Sequence, residues 1–201
     1  MNYQLVLDET LKKLEGVPKL LLHACCAPCS SYVIEYLSNY FEITIYFYNP
    51  NMDSSEEYYK RLKELERFIK EFKTKYPVHL VSEEYNHDEF LEISKNLENE
   101  PERGKRCLKC YRLRLEKSFM YAKEKHFDYV TTTLTLSPHK NSHVINEIGR
   151  DLEKEYSFPY LYSDFKKREG YKRSIVLSSK YHLYRQNYCG CEFSKKENNL
   201  H

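Results

Sequence analysis

The strongest constraint on this chain is an alternation of two periods. Residues 18–24 (PKLLLHA) form a short apolar run of strand character, and residues 30–40 (SSYVIEYLSNY) follow with Val33, Ile34 and Leu37 at helical spacing. Residues 41–50 (FEITIYFYNP) are β-branched and aromatic, and Asn49-Pro50 stops them. Residues 54–76 give an amphipathic helix with Ser54 or Ser55 as cap and acids in its first turn. The pattern continues with a strand at 78–85, a short helix at 87–97, a loop at 99–105 and a helix at 107–126. A strand at 128–137 and a helix at 141–156, capped by Asn141 or Ser142, complete it. A fifth short strand is expected at 159–163 (PYLYS), a helix at 171–183 and a closing loop at 184–194. Strands separated by helices predict an α/β fold, a layered parallel sheet flanked by helices. Ligands of such sheets bind beyond the carboxyl ends of the strands. The 201 residues suit a single domain, 1–201, with its core at about 19–193 and a frayed tail at 195–201.

That fold gives the cysteines an address. All seven fall in three short motifs: Cys25, Cys26 and Cys29 after the first strand, Cys107 and Cys110 opening a later helix, and Cys189 and Cys191 near the end. Thiols used as small core residues would be dispersed. The first residues (MNYQLVLDETLKKLEG) carry acids and no small-residue cleavage site, and no apolar run approaches the roughly 18 residues of a membrane span. A cytoplasmic protein with no membrane association is therefore expected, and in that reducing compartment structural disulfides are rare. An odd number of cysteines also leaves one unpaired.

Three readings of the thiols compete. Cys26-Ala27-Pro28-Cys29 between a strand and a helix matches a thioredoxin-like redox pair, but leaves five cysteines without a task. Two CxxC pairs, Cys26/Cys29 and Cys107/Cys110, supply a tetrahedral zinc site and leave three. An iron–sulfur cluster on four thiolates, with the remainder serving a second metal, uses all seven.

Charge is uneven in a chain whose net charge is only +2. Residues 103–114 hold six basic residues and no acid, and residues 163–185 hold seven against two acids. Both stretches flank cysteine motifs. They are either solvated faces or the footprint of a polyanion such as RNA. Tyrosine is abundant at 20 residues, a number that coding bias explains better than base stacking does.

The ordered combination HACCAPCS, CLKCYRLRL, SPHKN and YCGC, extending from about Lys19 to Phe193, resembles the QueH-type epoxyqueuosine reductases. The resemblance implies an α/β fold related to the adenine-nucleotide hydrolase-like (HUP-type) group, with a cysteine-bearing C-terminal segment. Relatives in that group carry a glycine-rich phosphate loop after the first strand. Here that position holds cysteines, and the chain has only 5 glycines, which disfavours ATP. The implied activity is reductive deoxygenation of epoxyqueuosine to queuosine in the tRNA anticodon loop. It would use a [4Fe–4S] cluster, an additional mononuclear iron and an electron donor that the sequence does not identify. The alternative from another class is a zinc-stabilised RNA-binding module without catalysis.

On that reading Cys26, Cys29, Cys107 and Cys110 are assigned to the cluster, and Cys25, Cys189 and Cys191 to the iron. Spacing does not orient the adjacent pair, so the exchange of Cys25 and Cys26 stands beside this assignment. Cys29, a position where the family also accepts an acid, is either a ligand or a free neighbour. His23, His139 and Tyr188 are candidate proton donors, with His23 also readable as a residue that orients the ligands or as a core histidine with both nitrogens satisfied. Arg103, Lys105, Arg106, Lys166, Lys167 and Arg168 are candidate phosphate contacts. Tyr111 and Tyr171 are candidate stacking platforms or packing residues.

Overall fold

The computed structural model describes residues 1–199. Four strands, β1 (Lys19–His23), β2 (Glu42–Phe47), β3 (Val78–Ser82) and β4 (Tyr129–Thr132), form one parallel sheet in the order β3-β2-β1-β4. Eight α-helices are described: α1 (Tyr3–Lys12), α2 (Ala27–Leu37), α3 (Ser55–Glu71), α4 (Asp88–Ser94), α5 (Lys105–Glu124), α6 (Ser142–Tyr156), α7 (Gly170–Lys180) and α8 (Glu192–Asn199). Among the described residues no helix is long and apolar enough to cross a membrane.

Leu20 to His23 of β1 are all fully buried, so helices cover both faces of the sheet. Because side chains alternate along a strand, the core splits in two. Leu20, Leu22, Ile43 and Ile45 pack with Leu7, Leu37 and Phe68 on one face. Leu21 and Tyr46 pack with Leu115, Phe119 and Ile145 on the other. After β1 the chain moves outward through β2 and β3, then returns to place β4 on the other side of β1. The strand order therefore reverses between β1 and β4, and a crevice opens beyond their carboxyl ends. The first cysteine motif leaves β1 there.

The expected elements are present, with three differences. Residues 159–163 do not form a strand. Tyr160 makes one parallel bridge to Val130, between bonds from Val130 N–H to Pro159 O (3.2 Å) and from Leu161 N–H to Val130 O (2.9 Å). Pro159 has no N–H to extend the ladder, and β4 ends early in a 3-10 turn, Thr133–Leu136. The N-terminal α1 was not anticipated. Asn2 caps it by accepting from Gln4 N–H, and Tyr3, Leu7 and Leu11 form its buried stripe. Finally, α8 was not anticipated, and it covers residues 195–199 of the tail expected to fray at 195–201, of which residues 200 and 201 lie outside the described residues.

Candidate metal centre

All three cysteine motifs lie at helix N-termini. Cys26 has extended backbone and is the N-cap of α2, and its sulfur accepts from Cys29 N–H at 3.4 Å. Cys107 sits in the first turn of α5, and its sulfur accepts from Arg103 N–H at 3.3 Å. Cys191 immediately precedes α8, its sulfur accepting from Ser194 N–H at 3.4 Å and its carbonyl from Lys195 N–H at 3.0 Å. A helix N-terminus carries partial positive charge and favours thiolate over thiol. Three such ends meet beyond the sheet.

The seven sulfurs divide into two adjoining groups. Cys25, Cys26 and Cys29 hold their sulfurs within 4.8 Å of one another, close enough to share a metal ion. Cys107, Cys110, Cys189 and Cys191 line one cavity together with Arg106, Tyr111 and Arg114. A cleft of about 160 Å³ lies alongside, and Cys25, Cys29, His139, Lys140, Tyr171, Tyr188 and Cys189 are in its wall. Cys189 thus borders both spaces. Its loop is fixed to the turn after β2: Asp53 N–H donates to Gly190 O (2.9 Å), and Arg61 Nη1 donates to Cys189 O (3.4 Å). Gly190 has φ of +125°, and a Cβ there would lie 3.3 Å from both Arg61 Nη1 and Asn51 Nδ2. The middle residue of this CxC motif is glycine for both reasons.

Buried cations surround the sulfurs. Arg114 is fully buried and lies one and two helical turns after Cys110 and Cys107. Its Nε donates to Cys110 O at 3.3 Å, while Nη1 and Nη2 have no hydrogen-bond partner among the described residues. Arg61 is 1% exposed and pairs with Glu57 at 2.6 Å, but its Nη2 also lacks a partner among the described residues. Without metal the thiols titrate unequally. Hydrogen bonding from Cys26 and Cys29 holds Cys25 well below the usual thiol range. The bond to Cys25 pushes Cys26 up to about 12, and bonds to both neighbours raise Cys29. Burial raises Cys107 and pushes Cys110 to about 11 and Cys191 to about 12. Burial disfavours the Lys140 ammonium, yet the sulfurs of Cys189, Cys25 and Cys29 and the Tyr111 hydroxyl outweigh it and raise its pKa.

The remaining sequence candidates fall in different places. His139 is exposed on the cleft wall. Tyr188 is half-buried there and donates to Asp53 Oδ1 at 3.1 Å. His23 is fully buried behind the motif, with Nδ1 2.9 Å from Thr132 Oγ1 and Nε2 3.1 Å from Tyr48 O. Thr132 Oγ1 also accepts from Leu134 N–H, so the threonine donates to Nδ1 and Nε2–H donates to the carbonyl. Burial, then the Arg114 charge, pushes the His23 pKa down to about 4.

One expectation about RNA contacts is corrected, and one open alternative is decided in favour of packing. Arg106 is 1% exposed because its Nη1 donates to the carbonyls of Leu97, Glu98 and Glu100, so it presents no charge to a phosphate. Tyr111 is buried in the cavity wall and offers no surface ring. Tyr171, by contrast, borders the cleft.

Residues 20–197 match the family model described as epoxyqueuosine reductase QueH. The chain belongs to this family. Its relatives named epoxyqueuosine reductase QueH include a Streptococcus pyogenes protein, 43% identical over 98% of this chain and 79% of the relative. One from Staphylococcus epidermidis is 44% identical over 96% and 84%, and one from Thermotoga maritima 32% identical over 89% and 91%.

For this QueH-family chain, the donor set fits thiolate-bound metal, and so do the orphaned guanidinium groups. A buried cation without an anion is costly, and a negatively charged metal–thiolate centre supplies the missing charge. Arg61, Arg114 and Lys140 belong to the site but were not among the site residues expected from the sequence. A signal for two of them existed: Arg114 shares a helix face with Cys107 and Cys110, and Arg61 interrupts the buried stripe Tyr58, Leu62, Leu65.

Proposed function

We propose that this chain reduces epoxyqueuosine to queuosine in the anticodon loop of tRNA, using a [4Fe–4S] cluster and a nearby iron. The observation that carries the reading is the gathering of all seven thiols, as two adjoining groups, beside one open cleft at the carboxyl ends of β1 and β4. The geometry favours Cys107, Cys110, Cys189 and Cys191 as the cluster ligands and Cys25, Cys26 and Cys29 as the iron ligands. This replaces the division suggested by the two CxxC spacings.

Removing the epoxide oxygen consumes two electrons and two protons and yields an alkene and water. When bound, the cluster supplies electrons and the iron a Lewis acid for the oxygen. The chain's own residues bind and orient the base and hold the protons. Tyr171 offers a ring to an unstacked base. Lys140 faces the cleft with no hydrogen-bond acceptor for its ammonium among the described residues, and holds a proton at Nζ. Tyr188 holds one at its hydroxyl, oriented by Asp53, and His139 lies within the same wall. His23 fastens β1 to β4 and to the chain after β2, and so aims the strand that delivers Cys25. Exposed Arg103, Lys105 and Lys167 are left to meet phosphates. Lys166 is spent on the carbonyls of Thr135 and Lys140 and on Asp164, and Arg168 on Asp8.

The test is a turnover measurement without oxygen. Metal-loaded protein, dithionite and tRNA bearing epoxyqueuosine should yield queuosine, read by nucleoside mass spectrometry as the loss of one oxygen atom. A colourless, zinc-loaded protein that binds the tRNA and leaves the nucleoside unchanged would overturn the reading.

A further inference from the structure

A charged side chain enclosed by protein ordinarily meets a counter-ion, because water is no longer there to solvate it. Arg114 has none. It is fully buried, no carboxylate pairs with it among the described residues, and its single hydrogen bond, from Nε, goes to a main-chain oxygen. The Tyr111 ring, its centroid 5.7 Å from the guanidinium carbon, carries no full charge. Nη1 and Nη2, four N–H donors in a planar fork, are left without acceptors in the wall of the cavity formed by Cys107, Cys110, Cys189 and Cys191. Placement in α5 makes this a built arrangement. The helix brings Cys107, Cys110 and Arg114 onto one face at spacings of three and four residues, so the helix that supplies two thiolates also supplies the cation.

We propose that Arg114 sets the reduction potential of the four-cysteine centre. Its fork, unpaired among the described residues, lies in the wall of that centre's cavity, and its fixed charge favours the reduced state. The inference rests on the reading that these four cysteines hold the cluster. The physical reason is charge balance. One-electron reduction adds one negative charge to the centre, with the electron leaving a chemical reductant such as dithionite. A cation held a few ångströms away in a low-dielectric interior stabilises the more negative state more strongly. Arginine cannot relieve its burial by losing its proton, so the bias does not depend on pH across the working range.

The test compares Arg114→Met and Arg114→Lys with the parent protein, all reconstituted with iron and sulfide. Iron and sulfide contents are measured first, and the midpoint potential is then read by spectroelectrochemical titration. Met, which keeps volume and removes charge, should lower the equilibrium constant for one-electron reduction at least tenfold, 59 mV for n = 1. Lys should recover most of that shift. A Met variant with full iron and sulfide and an unchanged midpoint overturns the inference and leaves the functional reading intact. A parent protein that binds no iron–sulfur centre overturns the functional reading itself. If the Met variant does not retain the centre, the neutral Arg114→Gln, measured in the same way, decides. A tenfold loss of reducibility supports the role of charge, and a midpoint equal to the parent's refutes it.

Discussion

At the residue scale, the site is built from side chains whose burial makes sense only together. His23 illustrates this. The sequence placed it two residues before Cys25 and left open whether it moves protons or holds structure. Period-two alternation cannot show that Thr132 and Tyr48 would occupy both its nitrogens. Removing the ring strands a buried hydroxyl and a buried carbonyl and leaves a void. His23→Ala should therefore cost about 2–4 kcal/mol of unfolding free energy, read from denaturant titration of the metal-free protein. A proton-relay role without structural weight would leave that stability unchanged and reduce only turnover. The cysteines were legible as motifs, since clustering is visible in sequence. Their grouping in space was not, because the loop geometry that turns Cys189 and Cys191 toward Cys107 and Cys110 depends on Gly190, Asp53 and Arg61.

At the element scale, the alternation of strand and helix was strong enough to give the parallel sheet and the position of the first motif at its carboxyl edge. Weaker signals went unread. The stripe Tyr3, Leu7, Leu11 is only three residues long, and the segment at 159–163 has strand composition but a proline where a donor is needed. Helix packing also has requirements that periodicity does not reveal. Gly170 opens α7 where it meets α2, and a Cβ there would lie 2.0 Å from Phe165 O and 2.4 Å from the Tyr32 ring. Backbone cannot give way as a flexible side chain can. Gly170→Ala should destabilise the protein by roughly 1–3 kcal/mol, the usual cost of overpacking. The check is thermal unfolding beside a control substitution at exposed Val176. An unshifted midpoint for Gly170→Ala would mean that the α2–α7 contact is looser than its geometry.

At the scale of the whole molecule, the fold places three helix N-termini, three buried arginines and seven sulfurs at the reversal of strand order, beside a cleft that can admit a base. Contributions come from the start, middle and end of the chain, so no single segment contains the site. The basic stretches at 103–114 and 163–185 were visible in sequence. Which of their charges stay free was not, since Arg106 and Lys166 are drawn inward by carbonyls contributed by other loops. The proposed division of these sulfurs into two metal sites with different ligands can be read from iron and acid-labile sulfide counts, with visible spectra, on anaerobically prepared Cys191→Ser and Cys25→Ser. Cys191→Ser should lose the cluster's iron, sulfide and broad absorption, while Cys25→Ser should keep sulfide and absorption and lose only the additional iron. Equal losses in both variants, or a Cys25→Ser protein stripped of sulfide beside a Cys191→Ser protein that retains it, would overturn that division.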